Sequence, residues 1–107
     1  MDKRVIESGI ADIVSRYIEE ILKNYEVETI ILFGSYAKGT NTEDSDIDIA
    51  IIFKNLKGNI LDEELKLMRL RRKIDTRIEP HIIRIEDYEK ISNPFVKEII
   101  DTGIKVA

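Results

Sequence analysis

The sequence predicts an α+β fold with a two-layer α/β architecture, in which helices and strands share one core. Three observations point there. Apolar residues recur every three or four positions over residues 5–25; two β-branched runs follow at residues 27–33 and 46–53; and a second helical pattern at 60–73 leads into a third extended stretch at 77–83.

In the first segment Val5, Ile6, Ile10, Ile13, Val14, Tyr17, Ile18, Ile21 and Leu22 repeat at the spacing of one helical face. The run VETIILF then changes to β-branched and aromatic residues and stops at Gly34, which reads as a buried strand entering a tight turn. The stretch GSYAKGTNTEDS has loop chemistry, with one helical turn expected after Ser35. In DIDIAIIF, Ile47, Ile49, Ile51 and Phe53 hold one parity, and Asp46, Asp48, Ala50 and Ile52 the other. One face is therefore expected to be core and the other to carry two carboxylates.

Beyond a turn around KNLKGN, Leu61, Leu65, Met68 and Leu70 among charged residues suit a second amphipathic helix, and Arg69, Arg71, Arg72 and Lys73 suit its negative C-terminal end. Around the third strand Ile74, Ile78 and Ile82 share one parity, and Asp75, Arg77, Glu79 and His81 the other if the extended conformation reaches back that far. Pro80 lacks a ladder donor and belongs at an edge or irregularity. Short helices are expected at 86–91 and 94–101, the last opened by Pro94 and closed by Gly103.

A chain of 107 residues with 43% apolar content matches a single domain spanning 1–107 with one modest core. So small a domain has little interior to spare for a nucleotide, which places a reactive site near an edge or between partners. The net charge of -4 argues against broad nucleic-acid binding, which draws its affinity from Lys and Arg, although a local basic rim is compatible with it. Without cysteine there is neither a disulfide framework nor a thiolate metal site, and a cytoplasmic location is expected. No stretch approaches the about 20 apolar residues that span a bilayer, so no membrane role is expected.

The informative feature is Gly34-Ser35, then ten residues, then Asp46-Ile47-Asp48. Carboxylates two apart on a strand point the same way and can converge on a divalent cation, and Mg²⁺ prefers such oxygen ligands while keeping sites for substrate phosphates. Gly34 would let backbone approach a phosphate, and Ser35 would add a hydroxyl and exposed N–H groups. Separately, a lone Asp-x-Asp is usually a solvated strand end and a lone Gly-Ser a turn. Their joint placement, at one strand's end and the next strand's start, is far more specific.

The run LFGSYAKGTNTEDSDIDIAIIF resembles the signature of the polymerase-beta-like nucleotidyltransferase superfamily, and its ten-residue spacing is similar to that of the minimal nucleotidyltransferase (MNT) domains. The resemblance is close over residues 27–53 and looser over most of the remaining chain. It implies the nucleotidyltransferase fold, a small mixed sheet backed by helices. It also implies two Mg²⁺ ions, or Mn²⁺ in their place, and a nucleoside triphosphate donor, ATP foremost, whose nucleoside monophosphate passes to an acceptor. Asp46 and Asp48 would be catalytic and metal-binding, and Gly34, Ser35, Lys38 and Ser45 would serve the nucleotide. The family also carries a third carboxylate on a later strand that holds the catalytic metal and activates the attacking hydroxyl. Glu79 in RIEPHII fills that place, with Asp75 in KIDTRI as a competitor, because the family's usual acid is Asp.

Other residues have two readings each. Lys38 either approaches the triphosphate or is solvated, and Ser45 either serves the nucleotide or shapes the turn before Asp46. His81 either binds a phosphate or tunes the site, or else is an ordinary hydrogen-bonded strand histidine. Arg77 either neutralises transition-state charge or pairs with an acid, and the Arg69–Lys73 cluster is a helix end or a partner contact. MNT proteins commonly pair with a helical HEPN protein, so the leading reading is an antitoxin that adenylylates its toxin. The rivals are a catalytically quiet module that neutralises a partner by contact, and transfer to a small molecule. Homo-oligomerisation is compatible with each.

Overall fold

The computed structural model describes residues 6–56, 58–91 and 93–107. Its elements are α1 (Ser8–Asn24), β1 (Val27–Phe33), α2 (Ser35–Lys38), β2 (Ile47–Phe53), α3 (Ile60–Arg71), β3 (Ile78–Arg84), α4 (Ile85–Lys90), α5 (Pro94–Thr102) and β4 (Ile104–Lys105). The strands form one mixed sheet in the order β3-β2-β1-β4. β1 pairs antiparallel with β2 and β4, and β2 pairs parallel with β3 through the α3 crossover. Pro80 thus lies on an edge strand, where its missing N–H is tolerated.

α1 buries Ile10, Val14, Tyr17 and Ile21, a single helical stripe, while Val5, expected to begin it, lies outside the described residues. This stripe packs with Leu67 of α3 on the sheet face carrying Ile30, Leu32, Ile47, Ile49, Ile51 and Phe53. Tyr17 links the two helices by donating its hydroxyl to the Leu67 carbonyl at 2.8 Å. Burial pushes the Tyr17 phenol far above its ordinary pKa, so it stays a donor at any physiological pH.

Two expectations about buried faces are corrected. Leu61 and Leu65 are 60% and 49% exposed, as is Leu22 at 53%, whereas Leu67 is fully buried. α3 carries apolar residues on both sides, and the side that wins is the one Tyr17 meets, with Leu70 and Ile74 beside it. Beyond Asp48, the acid-bearing face of β2 is also core. Ala50 and Ile52 pack with Ile31, Phe33 and Ile83 beneath Val96 and Ile99 of α5, and Ile85 and Tyr88 of α4 flank them.

Helix ends follow local chemistry. The Asn59 side chain accepts from Leu61 N at 2.8 Å to open α3, and Asn93 accepts from Val96 N at 3.0 Å to open α5, with Pro94 in the first turn. α3 stops at Arg71, two residues before the expected Lys73. The Arg71 guanidinium turns to the carbonyls of Thr76 at 3.1 Å and Ile78 at 2.8 Å, tying the helix end to the start of β3. Strand β4 was not anticipated, since two residues carry no periodicity. It is held by Ile30 through Ile30 N to Ala107 O at 3.0 Å and Val106 N to Ile30 O at 2.8 Å.

Gly103 joins α5 to β4 with an ordinary φ of -77°, so its glycine identity answers to space rather than to conformation. A Cβ there would overlap Ile31 Cγ2 and the Ile99 carbonyl oxygen. Gly103→Ala is expected to cost about 1–3 kcal/mol through overpacking, read as a lowered denaturant midpoint. An unchanged midpoint would mean that the α5–β4 junction yields freely.

Candidate active site

At Gly34 the chain leaves β1 with φ 74° and ψ -153°, a conformation almost restricted to glycine. The Gly34 carbonyl then accepts from Ala37 N and Lys38 N, both at 3.1 Å, and so starts α2. Phe33 faces Asp48 in the antiparallel register, which sets the Asp48 carboxylate beside Gly34. A Cβ at residue 34 would overlap Asp48 Oδ2. On the other side of β2 the parallel register pairs Asp48 with Glu79. Phe33, Asp48 and Glu79 thus fall in one row across three strands at one end of the sheet, and Gly34, the residue after β1, lies against the Asp48 carboxylate.

Asp46 lies one residue ahead of β2, not on it, because the ladder begins with Ile47 N donating to Arg77 O at 2.8 Å. Asp46 is exposed, Asp48 is half-buried and Glu79 is 43% exposed at its side chain. Their nearest partners are weak ones. His81 Nε2 lies 3.2 Å from Asp48 Oδ1, and Arg71 Nη1 lies 3.8 Å from Glu79 Oε2.

Asp75 is differently placed. Its carboxylate accepts from Arg77 N at 2.8 Å, Arg77 Nε at 3.0 Å and Arg77 Nη2 at 2.8 Å, a fork that holds its pKa below the ordinary carboxylate value. The same pair raises the Arg77 pKa, and Arg77 also reaches Tyr36 Oη at 3.4 Å. Lys38 pairs with Glu98 of α5 at 2.8 Å, both exposed. Ser45 Oγ accepts from Thr42 N at 2.8 Å and closes the turn before Asp46.

The sheet end therefore brings Gly34, Asp48 and Glu79 together, with Ser35 and Asp46 next to them along the chain, while Lys38, Ser45 and Asp75 have Glu98, Thr42 and Arg77 as partners. Tyr36, which meets Arg77, Phe95, which meets His81, and Glu98, which pairs with Lys38, were not singled out from sequence. Tyr36 follows Gly34-Ser35 directly, and that adjacency is the signal that could have found it. Phe95 and Glu98 meet these partners only through the packing of α5. A shallow cavity of about 630 Å³ opens at the opposite end of the β1–β2 ladder, lined by residues including Tyr25, Phe53, Leu56 and Glu63. The acids instead occupy an open sheet end.

A sequence profile described as polymerase beta, nucleotidyltransferase matches residues 16–107. The chain belongs to this family. Two candidate protein adenylyltransferases of Methanocaldococcus jannaschii are 35% and 34% identical to it, each over 91% of this chain and 93% of the relative. A solved structure of a candidate nucleotidyltransferase from Sulfolobus solfataricus superimposes with a TM-score of 0.66 at 21% identity, covering 97% of this chain and 90% of that one. A toxin–antitoxin crystal structure with AMP-PNP superimposes at 0.61 and 22% identity, covering 91% of this chain and 72% of that chain. The four-stranded mixed sheet with its helices is the nucleotidyltransferase fold, and the activity class of the family is nucleotidyl transfer.

Family membership raises the question of a divalent metal. Among the described residues, no three His, Cys, Asp or Glu side chains form a ready-made cluster for one. The donor set nevertheless fits a hard cation. Asp46, Asp48 and Glu79 offer only oxygen and retain access to solvent, the donor chemistry that Mg²⁺ prefers.

Both Gly34 and Gly39 have φ near 75°, but only Gly34 has a neighbour where a Cβ would sit. Gly34→Ala is therefore expected to lose more stability than Gly39→Ala, which pays only the left-handed backbone cost of about 1–2 kcal/mol. Thermal denaturation of the two variants checks this order, and the reverse order would mean that the Asp48 carboxylate moves aside without cost.

Proposed function

We propose that this nucleotidyltransferase moves AMP from ATP to a hydroxyl on a partner protein, a HEPN-type helical toxin that the modification silences. The observation that carries the reading is the pairing of Asp48 with Glu79 across β2 and β3 with Gly34 against the Asp48 carboxylate, and Ser35 opening the adjoining helical turn. Support for a protein acceptor comes from the names of the Methanocaldococcus relatives, and support for a toxin partner from the toxin–antitoxin neighbour. The solvent access of Asp46 and Glu79 suits an acceptor presented by another protein. A cytoplasmic location, where ATP is at hand, is part of this reading.

In the proposed reaction the acceptor oxygen attacks the α-phosphorus of ATP, a new O–P bond forms, and the bond to the β-phosphate breaks in line. Pyrophosphate leaves. Asp46, Asp48 and Glu79 would hold Mg²⁺ or Mn²⁺ in two positions, and the metal when bound neutralises triphosphate charge and lowers the barrier to attack. Gly34 and Ser35 admit the phosphates to the backbone, and Lys38 serves them on exchanging its exposed contact with Glu98. Ser45 keeps the turn that presents Asp46. Glu79 takes the proton of the attacking hydroxyl, being the carboxylate that the parallel register sets opposite Asp48 and one that retains access to solvent.

Calorimetry should show ATP binding only with Mg²⁺ or Mn²⁺ present, since the acids otherwise repel the triphosphate. Replacing both Asp46 and Asp48 by Asn should abolish this binding and labelled-AMP transfer, with thermal stability unchanged or improved. Failure of that double variant to fold would assign the two acids to the fold instead.

Glu79→Gln should keep much of the ATP affinity and lose transfer, whereas Asp75→Asn should keep transfer. Because Arg77 lowers the pKa of Asp75, its contribution to stability is present above the ordinary carboxylate pKa and is lost as pH falls through the lowered one. The stability cost of Asp75→Asn should therefore fade in acid. Loss of transfer in Asp75→Asn alone would move the catalytic role there. No transfer by wild type, with partner binding that survives loss of Asp46 and Asp48, would support neutralisation by contact.

A further inference from the structure

We propose that His81 is a positioning residue that holds the Asp48 carboxylate in the orientation a divalent cation needs; the inference rests on the metal-dependent reading above. In the parallel register His81 faces Ala50, two residues beyond the Asp48–Glu79 pair. Ala50 is fully buried and small, and the imidazole leans along the strand so that Nε2 comes within 3.2 Å of Asp48 Oδ1. The ring is held edge-on by Phe33 at 5.0 Å and tilted against Phe95 at 5.8 Å, and those two phenyl rings meet each other at 5.7 Å.

The other carboxylate oxygen, Oδ2, lies against Gly34 at the place a Cβ would occupy. His81 therefore pins one oxygen, and the second faces the Gly34–Ser35 turn. With the proton on Nε2, the imidazole uses one lone pair of Oδ1 and leaves the remaining acceptor sites of Asp48 to a metal. Stability alone gives a poor account of this contact. Both side chains are partly exposed, 30% for His81 and 26% for Asp48, and such a bond contributes little to folding. Its effect on carboxylate orientation is another matter, because outer-shell hydrogen bonds commonly change metal affinity by tenfold or more.

The test uses the full chain with Mn²⁺ and a non-hydrolysable ATP analogue, reading bound Mn²⁺ by electron paramagnetic resonance and folding by thermal denaturation. His81→Phe keeps an aromatic ring between Phe33 and Phe95 but removes the donor, whereas His81→Gln keeps an N–H donor near the Nε2 position. His81→Phe should weaken Mn²⁺ binding by about 10- to 100-fold, with His81→Gln staying within about threefold of wild type. Equal Mn²⁺ affinity in wild type and His81→Phe overturns the inference while leaving the metal-dependent reading intact. Gln as weak as Phe also overturns it, since the ring and not the donor would then matter. Absence of Mn²⁺ binding by wild type overturns both.

Discussion

The Asp48 carboxylate lies where a side chain on residue 34 would otherwise be, and the site is organised around that contact. Phe33 opposite Asp48 ends β1 at the level of the acid, and the glycine conformation at residue 34 then carries the backbone into α2 without covering the carboxylate. The parallel neighbour β3 supplies Glu79 at the same level. A slip of one residue in either register would turn Asp48 toward the face occupied by Ile47 and Ile49, where a carboxylate would lose its water.

What prevents such a slip is apolar burial on both faces of β2. Ile47, Ile49 and Ile51 pack beneath α1 and α3, and Ala50 and Ile52 pack beneath α4 and α5. Each fully buried isoleucine contributes about 2 kcal/mol, against at most about 1 kcal/mol for partly exposed polar pairs. The acids are consequently placed by the core behind them and not by their own bonds. A functional end can then remain polar and half-open, because its neighbours supply the stability.

How much of this could be read from the sequence depends on how far apart the interacting residues lie along the chain. The period-two pattern of β2 and the helical stripe of α1 are local, and so is the passage from Gly34 through α2 to Asp48; these emerged with boundaries off by a few residues at most. The buried side of α3 did not, because leucines lie on both of its faces and the choice is made by Tyr17, fifty positions away. Cover over Ala50 and Ile52 depends on helices near the other end of the chain. The approach of His81 to Asp48 depends on a parallel pairing across an intervening helix, for which a sequence pattern carries no register.

The acids near the site also differ in what their present partners leave available. Asp75 accepts three hydrogen bonds from Arg77, backbone and guanidinium together, so recruiting it to a metal would break a closed fork and leave that guanidinium without its carboxylate. Among the described residues Asp48 has an imidazole contact, and Glu79 a long contact to an arginine already donating to two carbonyls. Asp48 can take a cation beside its imidazole contact, and Glu79 can do so while Arg71 keeps its bonds to the two carbonyls. The proposal prefers Glu79 to Asp75 on this difference in exchangeability, combined with the register that puts Glu79 opposite Asp48, even though aspartate is the more usual acid in the family.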